Sequence, residues 1–130
     1  MGYYTDFSME IYDSDGQCVI GTIHSERDIH DIVMYPEQHR TDVVEALRYI
    51  KEHSDEYYGL LGEERCKWYD HQDEMKKVSN NYPDLVFILH GEGEEQGDIW
   101  TAYFCNGKCE KILPELKWPH FDMIKFARKE

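Results

Sequence analysis

The residues best equipped for chemistry are seven histidines, four cysteines and a dense run of carboxylates at residues 91–98. That run, Gly-Glu-Gly-Glu-Glu-Gln-Gly-Asp, sets Glu92, Glu94, Glu95 and Asp98 among three glycines. It lacks the alternating ligands of a calcium loop, precedes no phosphate-cradling helix, and would repel phosphate by its own charge. Its plain reading is a solvated hairpin loop. Its functional reading is a docking loop for a basic groove on a partner protein, with Trp100 and Tyr103 as neighbouring aromatic anchors, the other place for Trp100 being the core. Aromatic residues dominate interface hot spots, and complementary charge speeds encounter.

The histidines and cysteines do not assemble into a metal site by spacing. His71 with Asp73 and Glu74 is not the H-E-x-x-H pattern, and His24 and His30 are six apart, off the i, i+4 spacing of one helical face. Cys105 and Cys109 look like a chelating pair, but Asn106-Gly107 between them is a two-residue hairpin signal. Such a turn sets Cys105 opposite Lys108 and Phe104 opposite Cys109, so the two thiols point to opposite sides of the sheet. Cys18 and Cys66 stand alone, and all four thiols read as free and structural. No metal and no cofactor is expected. His90 is the exception worth following, because it ends an apolar run beside the acidic loop, where a carboxylate neighbour would raise its pKa. A small hydrolase using His90 is one functional reading, although no Ser or Cys nucleophile falls beside it by spacing.

Composition narrows the partner. The chain has 130 residues, room for one domain with a sizeable core, and 14 Lys plus Arg against 27 Asp plus Glu give a net charge of −13. That sign opposes direct binding to nucleic-acid phosphates and to anionic membranes. Aromatic residues at 14% exclude a disordered acidic tail. Residues 1–65 hold 15 acids and five bases, and residues 66–130 hold 12 acids and nine bases. The excess therefore lies in the first half, including Glu63 and Glu64, and again in the 91–98 run. Carboxylates presented at many places can imitate a phosphate backbone. The opening residues contain no cationic start and no apolar run of signal or membrane length, so a cytoplasmic protein is expected.

The elements that must position these residues follow from periodicity. Tyr3, Thr5, Phe7, Met9 and Ile11 alternate with polar neighbours, as in a strand with one wet face. Asp13-Ser14-Asp15-Gly16 supplies a turn, and residues 18–23 return as a second strand. Ser25 and Asp28 start a short helical turn that Pro36 interrupts, and Val43, Val44, Leu47 and Ile50 mark a helix of about three turns from Thr41. Residues 53–62 read as a long connection, and residues 65–69 as a short strand or a lead-in. Asp70 caps a second helix reaching about Asn80, with Trp68, Gln72, Met75, Ser79 and Tyr82 near one face. Residues 85–90 form an unbroken apolar run predicting a central strand covered on both faces. After the acidic loop, residues 99–105 and 108–113 form a last hairpin, and the C-terminus forms a lid or tail. The expected fold is α+β, an antiparallel sheet of four to six strands with two helices on one face, compatible with a ferredoxin-like core carrying an extra hairpin.

Several blocks also carry a resemblance. Met1-Gly2-Tyr3-Tyr4-Thr5, Lys67-Trp68-Tyr69-Asp70-His71, Tyr82-Pro83-Asp84, the glutamate-rich run through Gly97-Asp98 to Trp100, and Asn106-Gly107-Lys108 resemble a family of small uncharacterised proteins of bacteriophages and mobile elements. The resemblance covers about half of the chain and implies a setting rather than a reaction. Small acidic phage proteins often inhibit host defence nucleases, so it implies a counter-defence role of the anti-CRISPR kind. Charge and setting together give the leading expectation: a non-enzymatic inhibitor that binds a basic, nucleic-acid-binding surface of a host protein such as a defence nuclease. The alternative is a module sequestering a small ligand or nucleotide, with a pocket lined by Tyr57, Tyr58, Trp68 and Tyr69 and with His90 near it.

Overall fold

The computed structural model describes residues 3–24, 26–53, 68–115 and 119–128. Its elements are β1 (Thr5–Asp13), β2 (Cys18–Ile23), α1 (Glu26–Met34), a single 3-10 turn (Pro36–Gln38), α2 (Thr41–Glu52), α3 (His71–Asn81), β3 (Leu85–Gly93), β4 (Ile99–Cys105), β5 (Lys108–Ile112) and α4 (Met123–Ala127). The fold is α+β with a five-stranded antiparallel sheet in the order β2-β1-β3-β4-β5.

Local chemistry accounts for the strand pairs. Asp13 Oδ1 accepts from the backbone N–H groups of Asp15 and Gln17, and Gly16 takes φ +83°, which closes the β1–β2 turn. Asn106 and Gly107 both take positive φ, 50° and 78°, the two-residue turn whose twist matches the β4–β5 ladder. That turn fixes the register Cys105↔Lys108 and Phe104↔Cys109, so the two cysteines do stand on opposite faces.

The connectivity differs from a ferredoxin-like core, which needs two strand–helix–strand crossovers. Here α1, α2 and α3 all lie in the single connection between β2 and β3. The reason is the chain length between the later strands: only residues 94–98 and the Asn106-Gly107 turn separate β3, β4 and β5, too few to hold a helix. β1 pairs with β3 along its whole length, from Thr5↔Gly93 to Asp13↔Leu85, and this joins the first hairpin to the last three strands.

Among the described residues the core cluster lies on one side of the sheet. Phe7, Met9 and Ile11 of β1, Leu85, Phe87 and Leu89 of β3, and Trp100, Ala102 and Phe104 of β4 meet Ile29 of α1, Val43, Leu47 and Ile50 of α2, and Met75 and Val78 of α3. The expectation that β3 is covered on both faces is corrected: Val86, Ile88 and His90 are half-buried on a face that no helix among the described residues covers. With α1, α2 and α3 all in the β2–β3 crossover, the described residues that shield that face are side chains of adjoining strands, such as Tyr12 opposite Val86 and Tyr103 opposite Ile88.

Several local details differ from the sequence expectation. The strand β3 runs to Gly93, so the connecting loop is residues 94–98 rather than 91–98. Asp70 precedes α3 but its side chain makes no cap bond, because its backbone, at φ −92° and ψ 21°, lies outside the extended region from which a cap side chain reaches the first amides. Gln72 is exposed, and Val78 takes its expected place on the buried face of α3. Ser25, expected at the start of α1, lies outside the described residues, while Asp28 accepts from the His24 amide at 2.8 Å. At the C-terminus, Phe121, Met123, Ile124 and Phe126 are exposed, with Phe121 and Phe126 ring to ring at 5.2 Å. Among the described residues no helix is long and apolar enough to cross a membrane.

Candidate functional site

Two surfaces on opposite faces of the sheet gather the residues singled out by sequence. The first is a recess of about 340 Å³ on the helix side, between the start of β1, the N-terminus of α3 and the β4–β5 hairpin. Its floor is a ring cluster. Phe7 meets Trp68 edge to face at 5.2 Å and Trp100 at 5.9 Å, and the His71 imidazole stacks on Trp100 at 4.7 Å. The indole N–H of Trp68 donates to Glu74 Oε2 at 2.9 Å, and His71 Nδ1–H donates to the Trp68 carbonyl at 3.0 Å. With Nδ1 as the donor, Nε2 of neutral His71 carries a lone pair, and the Lys111 ammonium stands 3.4 Å from it and 4.1 Å from the centre of the Trp100 ring.

The rim is built by the first described residues. The Tyr3 hydroxyl donates to Asp98 and accepts from the Glu95 amide at 3.1 Å. The Tyr3 amide donates to the Tyr69 hydroxyl, and the Tyr4 amide to Glu94 Oε1, both at 2.8 Å. Three separate stretches of sequence, around Tyr3, around Trp68 and around Asp98, thus close on one another.

Burial sets the ionisation here. His71 is held below the usual imidazole range, first by burial and then by the Lys111 charge, and burial raises the Glu74 carboxyl. Tyr3 is raised, chiefly because its hydroxyl donates to Asp98. For His71 the sign is definite: the unfolded imidazole, with a pKa of about 6.5, takes up a proton before the folded one does. Its contribution to stability is whole above that value and is lost as pH falls through the window beneath it. Between about pH 7.5 and pH 5.5 the wild-type urea midpoint should therefore fall further than that of His71→Gln. Equal falls would show that His71 titrates normally.

The second surface is the helix-free face of the sheet. Asp6 and Glu92, both exposed, are directly opposite each other on β1 and β3. Ser8 is opposite His90 and Glu10 opposite Ile88, and across β4 and β5 the face continues through Thr101, Tyr103, Glu110 and Lys108. His90 is held at both nitrogens: Nε2 is 2.7 Å from Glu10 Oε2 and Nδ1 is 2.9 Å from Thr101 Oγ1. Because a carboxylate only accepts, Nε2 carries the hydrogen, and the Thr101 hydroxyl donates to Nδ1 when the ring is neutral. Hydroxyl, imidazole and carboxylate stand in the order of a hydrolytic triad. They sit on β4, β3 and β1, each flanked by strands on both sides.

The sequence-predicted residues divide between these surfaces. Glu92 and Tyr103, the latter 40% exposed, lie on the helix-free face. Glu95 is at the exposed loop, whereas Glu94 and Asp98 turn toward Tyr4 and Tyr3. Of the two readings of Trp100, anchor or core, the structure has the core one, at 6% exposure with its indole lying against Gly91, where no Cβ interferes. Trp68 and Tyr69 do line a common recess, but His90 is on the other face. Glu63, Glu64, Tyr57, Tyr58 and Cys66 lie outside the described residues. Among the described residues no group of three His, Cys, Asp or Glu is placed to hold a metal ion.

Sequence reasoning missed Asp6, Tyr3, His71 and Lys111. Lys111 was within reach, since the Asn106-Gly107 turn sets Cys109 on the Phe104 side and Lys111 is two residues further along the same face. The partners of Asp6 and His71 come from pairings and packing far along the chain, which spacing does not reveal. Comparison of the chain with protein-family models, with curated proteins and with solved structures finds no match.

Proposed function

We propose that the protein is a non-enzymatic inhibitor whose helix-free sheet face occupies a basic, nucleic-acid-binding surface of a host defence or nucleic-acid-processing protein. The observation that carries this reading is the direct opposition of Asp6 and Glu92. Like charges facing each other across two strands destabilise a sheet, and neither carboxylate stands in an ion pair among the described residues. A cationic partner would relieve that repulsion, so binding and folding set opposite demands on the pair. Glu10 and Glu110 extend the negative charge over the same face, and Tyr103 supplies an exposed ring at its centre. The net charge of −13 adds long-range attraction for a basic partner.

Neutralising the pair separates the two demands. Asp6→Asn with Glu92→Gln should raise folding stability by about 0.2–1 kcal/mol in urea unfolding. The same double variant should lose partner binding. Immobilised wild-type protein, exposed to host lysate at about 50 mM salt, should retain a nucleic-acid-binding protein that is released at about 300 mM salt or by added DNA. Retention of the same protein by the double variant, or retention indifferent to salt and DNA, overturns the proposal.

A further inference from the structure

The recess on the helix side is not used by the docking face, and it has the make-up of a small-molecule site. Six rings line it, from Tyr3, Phe7, Trp68, Tyr69, His71 and Trp100, so its body favours a flat apolar ligand. Among the described residues that line it, one is a cation, Lys111 at the edge. One donor of the Lys111 ammonium is turned to His71 Nε2 and its charge lies over the Trp100 ring, and among the described residues no carboxylate comes within ion-pair distance of it. The nearest acidic group of the lining, Asp98, is engaged by the Tyr3 hydroxyl. An ammonium with unfilled donors beside an aromatic floor asks for one negative charge attached to a ring.

We propose that this recess binds a small planar aromatic carboxylate, its ring against the aromatic lining and its carboxylate on Lys111. The volume of about 340 Å³ holds one or two fused rings, and the single cation matches a monoanion better than a nucleotide with several phosphate charges. Lys111 is exposed and on an edge strand, so its replacement leaves the core intact. The site lies across the sheet from Asp6 and Glu92, and its occupancy is read independently of any protein partner.

The test is an NMR titration of the whole chain, following the indole N–H signals of Trp68 and Trp100, with 1-naphthoate as probe. Its uncharged amide and the non-aromatic anion cyclohexanecarboxylate serve as comparators. Wild-type protein should bind 1-naphthoate with a Kd on the order of 1 mM, and both comparators about tenfold more weakly. Lys111→Gln should reduce 1-naphthoate binding about tenfold, to the level of the amide, and Lys111→Arg should keep most of it. Absence of shifts at the two indoles, or equal affinity for 1-naphthoate in Lys111→Gln, overturns the proposal.

Discussion

Replacing Trp68 with alanine should cost about 3–5 kcal/mol of folding free energy, the largest single-residue effect expected in this molecule. Trp68 is 1% exposed, although it precedes α3 and belongs to no regular element. Its ring packs on Phe7 of β1 and on His71 of α3, and so fastens the start of the helix to the sheet. Two losses add on truncation. A cavity opens in a close-packed core, and the partly buried Glu74 carboxylate loses the indole N–H that donates to it. Trp68→Phe separates them, because it keeps most of the apolar volume while removing the donor, and should cost about 1–3 kcal/mol. Urea unfolding followed by far-UV circular dichroism measures both. A cost below about 1 kcal/mol for the alanine variant would show that α3 is fastened by other contacts.

Gly91→Ala should cost about 1–3 kcal/mol, although alanine is a modest change in most strands. A Cβ at position 91 would overlap Trp100 Cζ2 and Cε2, far inside van der Waals contact. The backbone at Gly91 is ordinary extended strand, so the cost is entirely one of space. Relief requires the Trp100 indole to move, and that indole carries the His71 stack and the Lys111 ammonium. Gly21→Ala is the matched comparison, in β2 with nothing within 4 Å of its added methyl, and should stay within about 0.5 kcal/mol of wild type. Combining Gly91→Ala with Trp100→Leu should recover part of the loss, since the smaller side chain vacates the contact. Strict additivity of the two substitutions would refute the clash.

These two residues also show how far the sequence could be read. The α+β class, all five strands, α2 and the β4–β5 turn were legible because each rests on near-neighbour patterns: alternation, the 3.6-residue repeat and the Asn-Gly pair. Gly91 was misread as loop for a local reason as well, since three glycines and four carboxylates in eight residues outweigh any strand signal. What makes a glycine necessary there is an indole nine residues away, opposite it in the ladder at Gly91↔Trp100. The same holds for Trp68, whose helical spacing marked it as apolar but not as the meeting point of β1 and α3. The strand order was beyond reach, because pairing β1 with β3 instead of β2 with β3 leaves every local pattern unchanged. The candidate surfaces depend on that order. Asp6 meets Glu92, and His90 meets Glu10, only because β1 and β3 are neighbours.

That same pairing governs how the chain reaches its native state. The ladder joins partners 72 to 88 residues apart, from Asp13↔Leu85 to Thr5↔Gly93. During synthesis the β1–β2 hairpin leaves the ribosome first and waits for most of the chain before its second neighbour exists. Closing so long a loop is the costly step, and it sets the pace of folding more than any helix does. Throughout that interval one edge of β1 is unpaired, the kind of edge that recruits strands from other chains. Asp6 and Glu10 sit on that strand, and like charges on an unpaired edge oppose its pairing with another copy of the same strand.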